Sequence, residues 1–235
     1  MELTVSLIAG MGTLVGVALV LFLGKLRSPT IAVFLGLAAG VMAAVVIWDL
    51  IPTALAQGRT QTVITGLAAG ILAIALLDIR ITAILGPLQS GFLKTGILIA
   101  TGIALHDLPE GMAIAAGFAS YTNLGFLVAL TIGLHNLPEG MAVAVPLRAA
   151  GISPWRILLL TFLVSLVTPL GTFLGLFLAH NDLLPISFLL AAAAGAMLYI
   201  VVFELLPRSL QESVPFSFGG LLAGILIVLL LTSLL

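Results

Sequence analysis

The sequence has no cysteine and very little charge. Without cysteine among its 235 residues, neither disulfide bonds nor thiolate metal ligands are available. Only 7% of the residues are charged, whereas soluble domains have about 25%, so water is not the solvent for most of the surface. The formal net charge of −1 gives no electrostatic reason to expect a nucleic-acid partner.

Hydrophobic residues make up 62% of the chain and form long runs. Runs of about 20 apolar residues can cross the roughly 30 Å hydrocarbon core as helices. Basic residues follow the first run instead of preceding it, which predicts a retained helix and not a signal peptide. The sequence therefore predicts an all-α membrane protein with a single polytopic domain, residues 1–235. Its eight transmembrane helices are predicted at 3–24, 31–55, 61–84, 92–118, 124–148, 155–179, 185–207 and 216–235.

The basic residues are unequally divided between the two sides of the predicted bundle. The side opposite the termini carries seven of them, and the terminal side carries only Arg59. Because basic connections remain in the cytoplasm, the chain is predicted to cross the plasma (inner) membrane with both termini outside. The seven residues are Lys25, Arg27, Arg80, Lys94, Arg148, Arg156 and Arg208.

Two pairs of segments repeat in positions that require opposite orientations in the membrane. Residues 105–113 read LHDLPEGMA and residues 134–142 read LHNLPEGMA, with a turn near Thr122 between them. Each copy lies about 14 residues, or roughly 21 Å, from that turn, near mid-membrane. Residues 40–52 likewise resemble residues 195–207. Inverted repeats are typical of secondary transporters, and these predict a 3+2+3 arrangement around helices 4 and 5.

The repeated motifs place ionisable side chains on one face of each central helix. At about 100° per residue, Glu110 falls between His106 and Asp107. Nitrogen and oxygen ligands without sulfur suit zinc, iron(II), manganese or cobalt better than copper(I). A metal site between helices 4 and 5 is therefore predicted from His106, Asp107, Glu110, His135, Asn136 and Glu139.

These polar residues could also have a purely structural role. A single intramembrane histidine or asparagine often only donates an interhelical hydrogen bond, worth about 0.6 kcal/mol. An acidic side chain at the bilayer centre costs roughly 2.5–3.5 kcal/mol, so three would cost very roughly 8–10 kcal/mol before pairing. No Lys or Arg lies nearby in sequence to neutralise them, whereas a bound cation would.

Two further acids occupy equivalent positions in the repeat of helices 2 and 7. Asp49 and Glu204 each precede a proline by three residues. The predicted topology places Asp49 near the external mouth and Glu204 near the cytoplasmic mouth. They are interpreted either as stations on a metal path or as hydrated residues at the interface. Asp78 and Arg80 are interpreted as an ion pair.

The chain resembles the ZIP (Zrt-, Irt-like) family of divalent metal transporters over all eight predicted helices. HDLPEG at 106–111 and HNLPEG at 135–140 match its paired metal-site motifs. The resemblance implies zinc transport towards the cytoplasm, with iron, manganese, cobalt or cadmium as other substrates and no prosthetic group. It implies a first metal position formed by His106, Glu110, His135 and Glu139. A second position adds Asp107 and Asn136 and shares the glutamates.

The sequence departs from the family pattern at two places, one beside this second metal position and one beside Glu204 at the cytoplasmic mouth. Thr168 precedes Pro169 where several members carry Glu, so the second position is expected to lack a charged ligand. Phe203 precedes Glu204 where members often have His, which weakens an exit site.

The alternative function is an intramembrane di-metal enzyme, because paired Glu and His on facing helices also build di-iron centres. Such an enzyme needs an open coordination position and a substrate pocket, and the inverted repeat favours transport. Glycines four residues apart, such as Gly12 and Gly16, predict close helix packing. That packing could lie within the chain or in a homodimer. The predicted partners are divalent metal ions and the lipid bilayer.

Overall fold

Eight long apolar helices form the part of the chain that the computed structural model describes, residues 1–23, 26–86, 91–178 and 186–233. All eight are long and apolar enough to cross a membrane, which confirms the predicted fold class. They are α1 (Glu2–Phe22), α2 (Ser28–Gln57), α3 (Thr60–Ile84), α4 (Phe92–Ala119), α5 (Thr122–Ala149), α6 (Pro154–Leu178), α7 (Ile186–Glu212) and α8 (Val214–Thr232).

The end of α7 differs most from its predicted position. The helix continues to Glu212, whereas Pro207 was expected to end it. Pro207 stands at the start of a new helical segment, Leu206–Glu212, where a proline needs no backbone hydrogen bond. Lys25 and the predicted helix ends at 24, 179, 185 and 235 lie outside the described residues.

Four helices are interrupted, and the interruptions follow the inverted repeat. α1 is broken at Met11 and α6 at Leu166, which are 155 residues apart. α2 contains a π-helical turn at Val46–Leu50 and α7 contains one at Val201–Leu205, again 155 residues later. The first three helices are therefore repeated by the last three, in the same order and opposite orientation. π-Helical turns are frequent at functional sites.

The helix contacts obey the same pseudo-two-fold relation. α1 packs on α5 as α6 packs on α4, and α8 packs on α2 as α3 packs on α7. α2 also contacts α5, and α7 contacts α4, so these two helices join the outer pairs to the centre. An even number of crossings leaves both termini on one side. We call it the terminal side and the opposite one the basic side.

The small-residue motifs pack inside the chain. A Cβ atom on Gly16 of α1 would overlap the carbonyl of Leu137, and one on Gly171 of α6 would overlap that of Leu108. Gly36 and its partner one turn later face α8 in the same way. These motifs support close intramolecular contacts. The homodimer stays a prediction that they do not support.

Candidate metal centre

Contacts in the interior of the bundle link five of the six side chains predicted to bind metal, and the sixth, Asn136, follows His135 on α5. The tight connection at Tyr121 returns the chain from α4 to α5, so the two copies of the motif meet at the same depth. All six side chains are buried: His106, Asp107, Glu110, His135, Asn136 and Glu139.

Each histidine is paired with the glutamate of the other helix. His106 Nε2 lies 3.0 Å from Glu139 Oε2, and His135 Nε2 lies 2.9 Å from Glu110 Oε1. The helical wheel placed each histidine beside the glutamate of its own motif. The observed pairing is crosswise, because antiparallel packing brings the facing helix closer. The two reciprocal pairs hold α4 and α5 together.

The hydrogen bond of His106 Nδ1 determines what Nε2 presents to Glu139. Nδ1 donates to the carbonyl oxygen of Gly102 at 3.0 Å, since a carbonyl can only accept. A neutral imidazole then presents the lone pair of Nε2 towards the carboxylate of Glu139. Only a shared proton or a metal ion between the two groups makes that contact favourable. An orienting bond of this kind is typical of metal-ligating histidines.

Asp107 adds a third carboxylate beside His106. Its Oδ1 lies 3.5 Å from His106 Nε2, and its Oδ2 accepts a hydrogen bond of 3.3 Å from Thr168 Oγ1. One ligand atom each from His106, Asp107 and Glu110 lies within 4.8 Å of the others. Thr168, just after the break in α6, therefore contacts Asp107, one of the residues predicted for the second position.

Asn136 makes a contact that sequence reasoning missed. Its Nδ2 donates to the carbonyl oxygen of Ala9 at 3.2 Å, two residues before the break in α1. The two residues are far apart in sequence, so no local periodicity could show the contact. The signal that could have found it is the pair of glycines around Met11, where a helix can open.

Several oxygens of the cluster have no hydrogen-bond partner among the described residues. Buried polar atoms are bonded in the great majority of cases, yet four of those in this cluster are not. Their coincidence at one place, with three carboxylates, fits a site for a cation bound through oxygen and nitrogen. The four atoms are Asp107 Oδ1, Glu110 Oε2, Asn136 Oδ1 and Glu139 Oε1.

Glu204 lies in a separate cluster towards the basic side. Its Oε1 lies 3.1 Å from the ammonium nitrogen of Lys94, and its Oε2 accepts a bond of 2.7 Å from Thr95. Lys94 Nζ is also 2.8 Å from Asp78 Oδ1. The ion pair of Asp78 is thus with Lys94, and its predicted pairing with Arg80 is wrong. α3 and α4 approach each other here, whereas Arg80 is exposed on α3.

Asp49 lies in the π-helical turn of α2 with an exposed side chain. It accepts a bond of 3.3 Å from Thr53 one turn later. Asp49 stands towards the terminal-side end of α2 and Glu204 towards the basic-side end of α7, and a role for either on a metal path stays a prediction.

An eight-helix membrane protein with paired histidines and glutamates in its interior belongs to the class that binds cations within the bilayer. Sequence comparison narrows this class. The sequence profile described as ZIP Zinc transporter matches residues 85–232. The zinc transporter ZupT of Chlorobium phaeovibrioides is 34% identical, over 97% of this chain and 95% of its own length. ZupT of Clostridium perfringens is 30% identical, over 97% and 93%.

A third relative, the zinc transporter GufA of Myxococcus xanthus, is 36% identical over 49% of this chain and 46% of its own length. The chain belongs to the ZIP zinc transporter family. This confirms the resemblance seen in the motifs. The protein is a multi-pass membrane transporter and not an enzyme, so the di-metal enzyme is not proposed further.

Proposed function

We propose that this protein carries zinc across the plasma membrane towards the cytoplasm, and that it also accepts other divalent transition-metal ions. The observation that carries the proposal is the central cluster, in which crosswise histidine–glutamate pairs adjoin four buried oxygens without partners. Membership of the ZIP family indicates that the function is metal transport. The cluster supplies the place where a desolvated cation can be stabilised.

The first metal position uses His106, Glu110, His135 and Glu139. Zinc binds nitrogen and carboxylate oxygen at about 2.0–2.2 Å, so neighbouring ligands of a tetrahedral ion lie roughly 3.3–3.5 Å apart. The observed nitrogen-to-oxygen separations of 3.0 and 2.9 Å need to widen only slightly. An arriving ion would displace the protons shared in these pairs.

The second metal position uses Asp107 and Asn136 with the remaining oxygens of the two glutamates. Glu110 Oε2 and Glu139 Oε1 have no hydrogen-bond partner, so each glutamate could bridge two ions. Thr168 supplies a hydroxyl to Asp107 where a carboxylate would add charge. The second position therefore binds metal more weakly than the first.

The path through the protein passes Asp49 first and Glu204 last. Both acids lie in π-helical turns, on opposite sides of the cluster. The excess of basic residues supports a cytoplasmic location for the basic side, with both termini outside. Alternating access by movement of one group of helices against the other fits the inverted repeat.

Uptake of radiolabelled zinc into proteoliposomes tests the proposal. His106→Ala and Glu139→Ala should each abolish uptake while the protein still inserts and folds, since both residues belong to the first position. Matched controls are Thr101→Val in α4 and Thr131→Val in α5, whose hydroxyls bond only within their own helices. Near-normal uptake by both site variants would remove the ligand assignment. Competition by iron, manganese, cobalt and cadmium in the same assay gives the selectivity.

The orientation has its own test, which the absence of cysteine makes simple. Single cysteines at Gln57 and Ala150, both exposed, lie on the terminal and basic sides. A membrane-impermeant thiol reagent added to whole cells should label Gln57→Cys and spare Ala150→Cys. The reverse pattern would contradict the proposed topology.

A further inference from the structure

Thr13 is a buried polar residue to which neither the motifs nor the proposed path gives a role. It lies in α1, two residues after the break at Met11. Its side chain is fully buried, and its hydroxyl has no hydrogen-bond partner in the part of the chain that the structure describes. Threonine inside a helix usually satisfies its hydroxyl on a carbonyl one turn earlier. The hydroxyl of Thr13 therefore needs a partner other than a carbonyl of its own helix.

The inverted repeat makes Thr13 the counterpart of Thr168. The two are 155 residues apart, the same separation as the helix breaks and the π-helical turns. Their packing is reciprocal as well. Gly140 of α5 faces the carbonyl of Thr13, and Gly111 of α4 faces the carbonyl of Thr168. Each threonine thus stands against the equivalent turn of a central helix.

The side chains around these two threonines differ. Thr168 donates to Asp107 Oδ2 at 3.3 Å. The residue equivalent to Asp107 is Asn136, 29 residues later. Asn136 instead turns its amide nitrogen to the carbonyl of Ala9. The bond that the repeat predicts between Thr13 and Asn136 is missing, and both Thr13 Oγ1 and Asn136 Oδ1 are buried without a hydrogen-bond partner among the residues described.

We propose that the hydroxyl of Thr13 belongs to the second cation position, where it and Asn136 Oδ1 form a neutral half opposite Asp107 and Thr168. A divalent cation, or a water molecule bound to it, satisfies both oxygens, which are costly to bury unpaired. Hydroxyl and amide oxygens suit hard, partly hydrated cations. The inference rests on the proposed function, because it extends the same metal centre.

Zinc titration calorimetry on the purified protein in nanodiscs tests this role. Thr13→Val keeps the shape of the side chain and removes the hydroxyl, and Thr13→Ser keeps the hydroxyl as the matched control. We expect a strong and a weak binding event in the unmodified protein. Thr13→Val should weaken the second event about tenfold or more and leave the first unchanged, because hydrogen bonds to charged groups are worth that much. Thr13→Ser should bind as the unmodified protein does.

Equal affinity of the weak event in Thr13→Val and Thr13→Ser would overturn the inference. Thr13→Asp provides a second route that does not depend on the folding of the valine variant. It adds a carboxylate at the same place and should strengthen the weak event about tenfold; an unchanged weak event would contradict the role. Loss of the strong event in His106→Ala separates this result from the proposed function. If the unmodified protein shows no strong event that His106→Ala removes, the proposed function fails and this inference with it.

Discussion

The two inverted halves of the molecule share a backbone and differ in the partners of their side chains. Asp49 and Glu204 occupy the same place in equivalent π-helical turns. Asp49 is exposed and accepts a hydrogen bond from Thr53, whereas Glu204 is buried against Lys94 and Thr95. The repeat therefore determines the positions of the two acidic residues. Residues outside the repeated segments determine whether each acidic side chain is accessible to a cation.

Lys94 makes the basic side of the protein different from the terminal side. Its ammonium bridges Glu204 on α7 and Asp78 on α3, and it comes from the first turn of α4, the helix that carries His106. On the proposed path, a metal ion that left by Glu204 would have to displace this ammonium or wait until α4 moves. In the described arrangement, the acid on the terminal side is accessible and the acid on the basic side is already paired.

The largest expected effect is the loss of stability when Lys94 is replaced. Lys94→Met keeps the length of the side chain and leaves Glu204 and Asp78 without their cation. Removing one partner of a buried ion pair costs about 3–5 kcal/mol. Because 18% of the Lys94 side chain is exposed, we expect roughly 2–4 kcal/mol, measured by thermal unfolding in detergent.

Arg80→Met is the matched control for that measurement, because Arg80 is close to Asp78 in sequence and exposed. It should change stability by less than about 0.5 kcal/mol. Asp49→Asn should be equally mild. Equal destabilisation by Lys94→Met and Arg80→Met would remove the contrast between the two sides.

The sequence predicted the repeat and could not predict this contrast. Runs of apolar residues define the eight helices, and the two HxLPEG motifs define the centre, because both signals are local. The bond between Asn136 and Ala9 and the salt bridge between Lys94 and Glu204 join residues more than 100 positions apart. Such contacts depend on how helices rotate and pack, which periodicity does not report. For the same reason Asp78 was paired with its sequence neighbour.

The second prediction concerns pH and compares the central pairs with Asp49. In the proposed site an arriving ion takes the place of a proton held between His106 Nε2 and Glu139, so metal binding should release protons. Apparent zinc affinity should fall as pH drops from neutral into the acid range, about tenfold per pH unit for each proton released. Calorimetry in buffers of different ionisation enthalpy measures the number of protons released for each zinc ion that binds. Unchanged affinity and no proton release would mean that the carboxylates are not the ligands, and Asp49→Asn should leave the proton count unaltered.

A smaller effect is expected when the exposed acid of the terminal side is neutralised. Asp49→Asn removes one charge from the path before the ion is desolvated. A charge near the surface contributes about 1 kcal/mol, or roughly fivefold. The KM for zinc uptake should therefore rise about fivefold while the maximal rate stays within about twofold. Thr53→Val controls for loss of the local hydrogen bond. A fall in maximal rate with an unchanged KM would assign Asp49 to a later step.

The smallest expected effect tests the same contrast within the metal centre, where Asp107 is charged and its counterpart Asn136 is neutral. Crystals soaked in cadmium should show strong density at the first position and weaker density beside Asp107 and Asn136. Thr168→Glu adds an oxygen ligand and a negative charge next to Asp107, so occupancy of the second position should rise about two- to fivefold relative to the first. The first position serves as the internal control for metal concentration. Full and equal occupancy in the unmodified protein would show that Asp107, Asn136 and the shared glutamates suffice. In that case the lack of a carboxylate at Thr168 would not weaken the second position. The charge of Asp107 alone would compensate for the neutral side chain of Asn136.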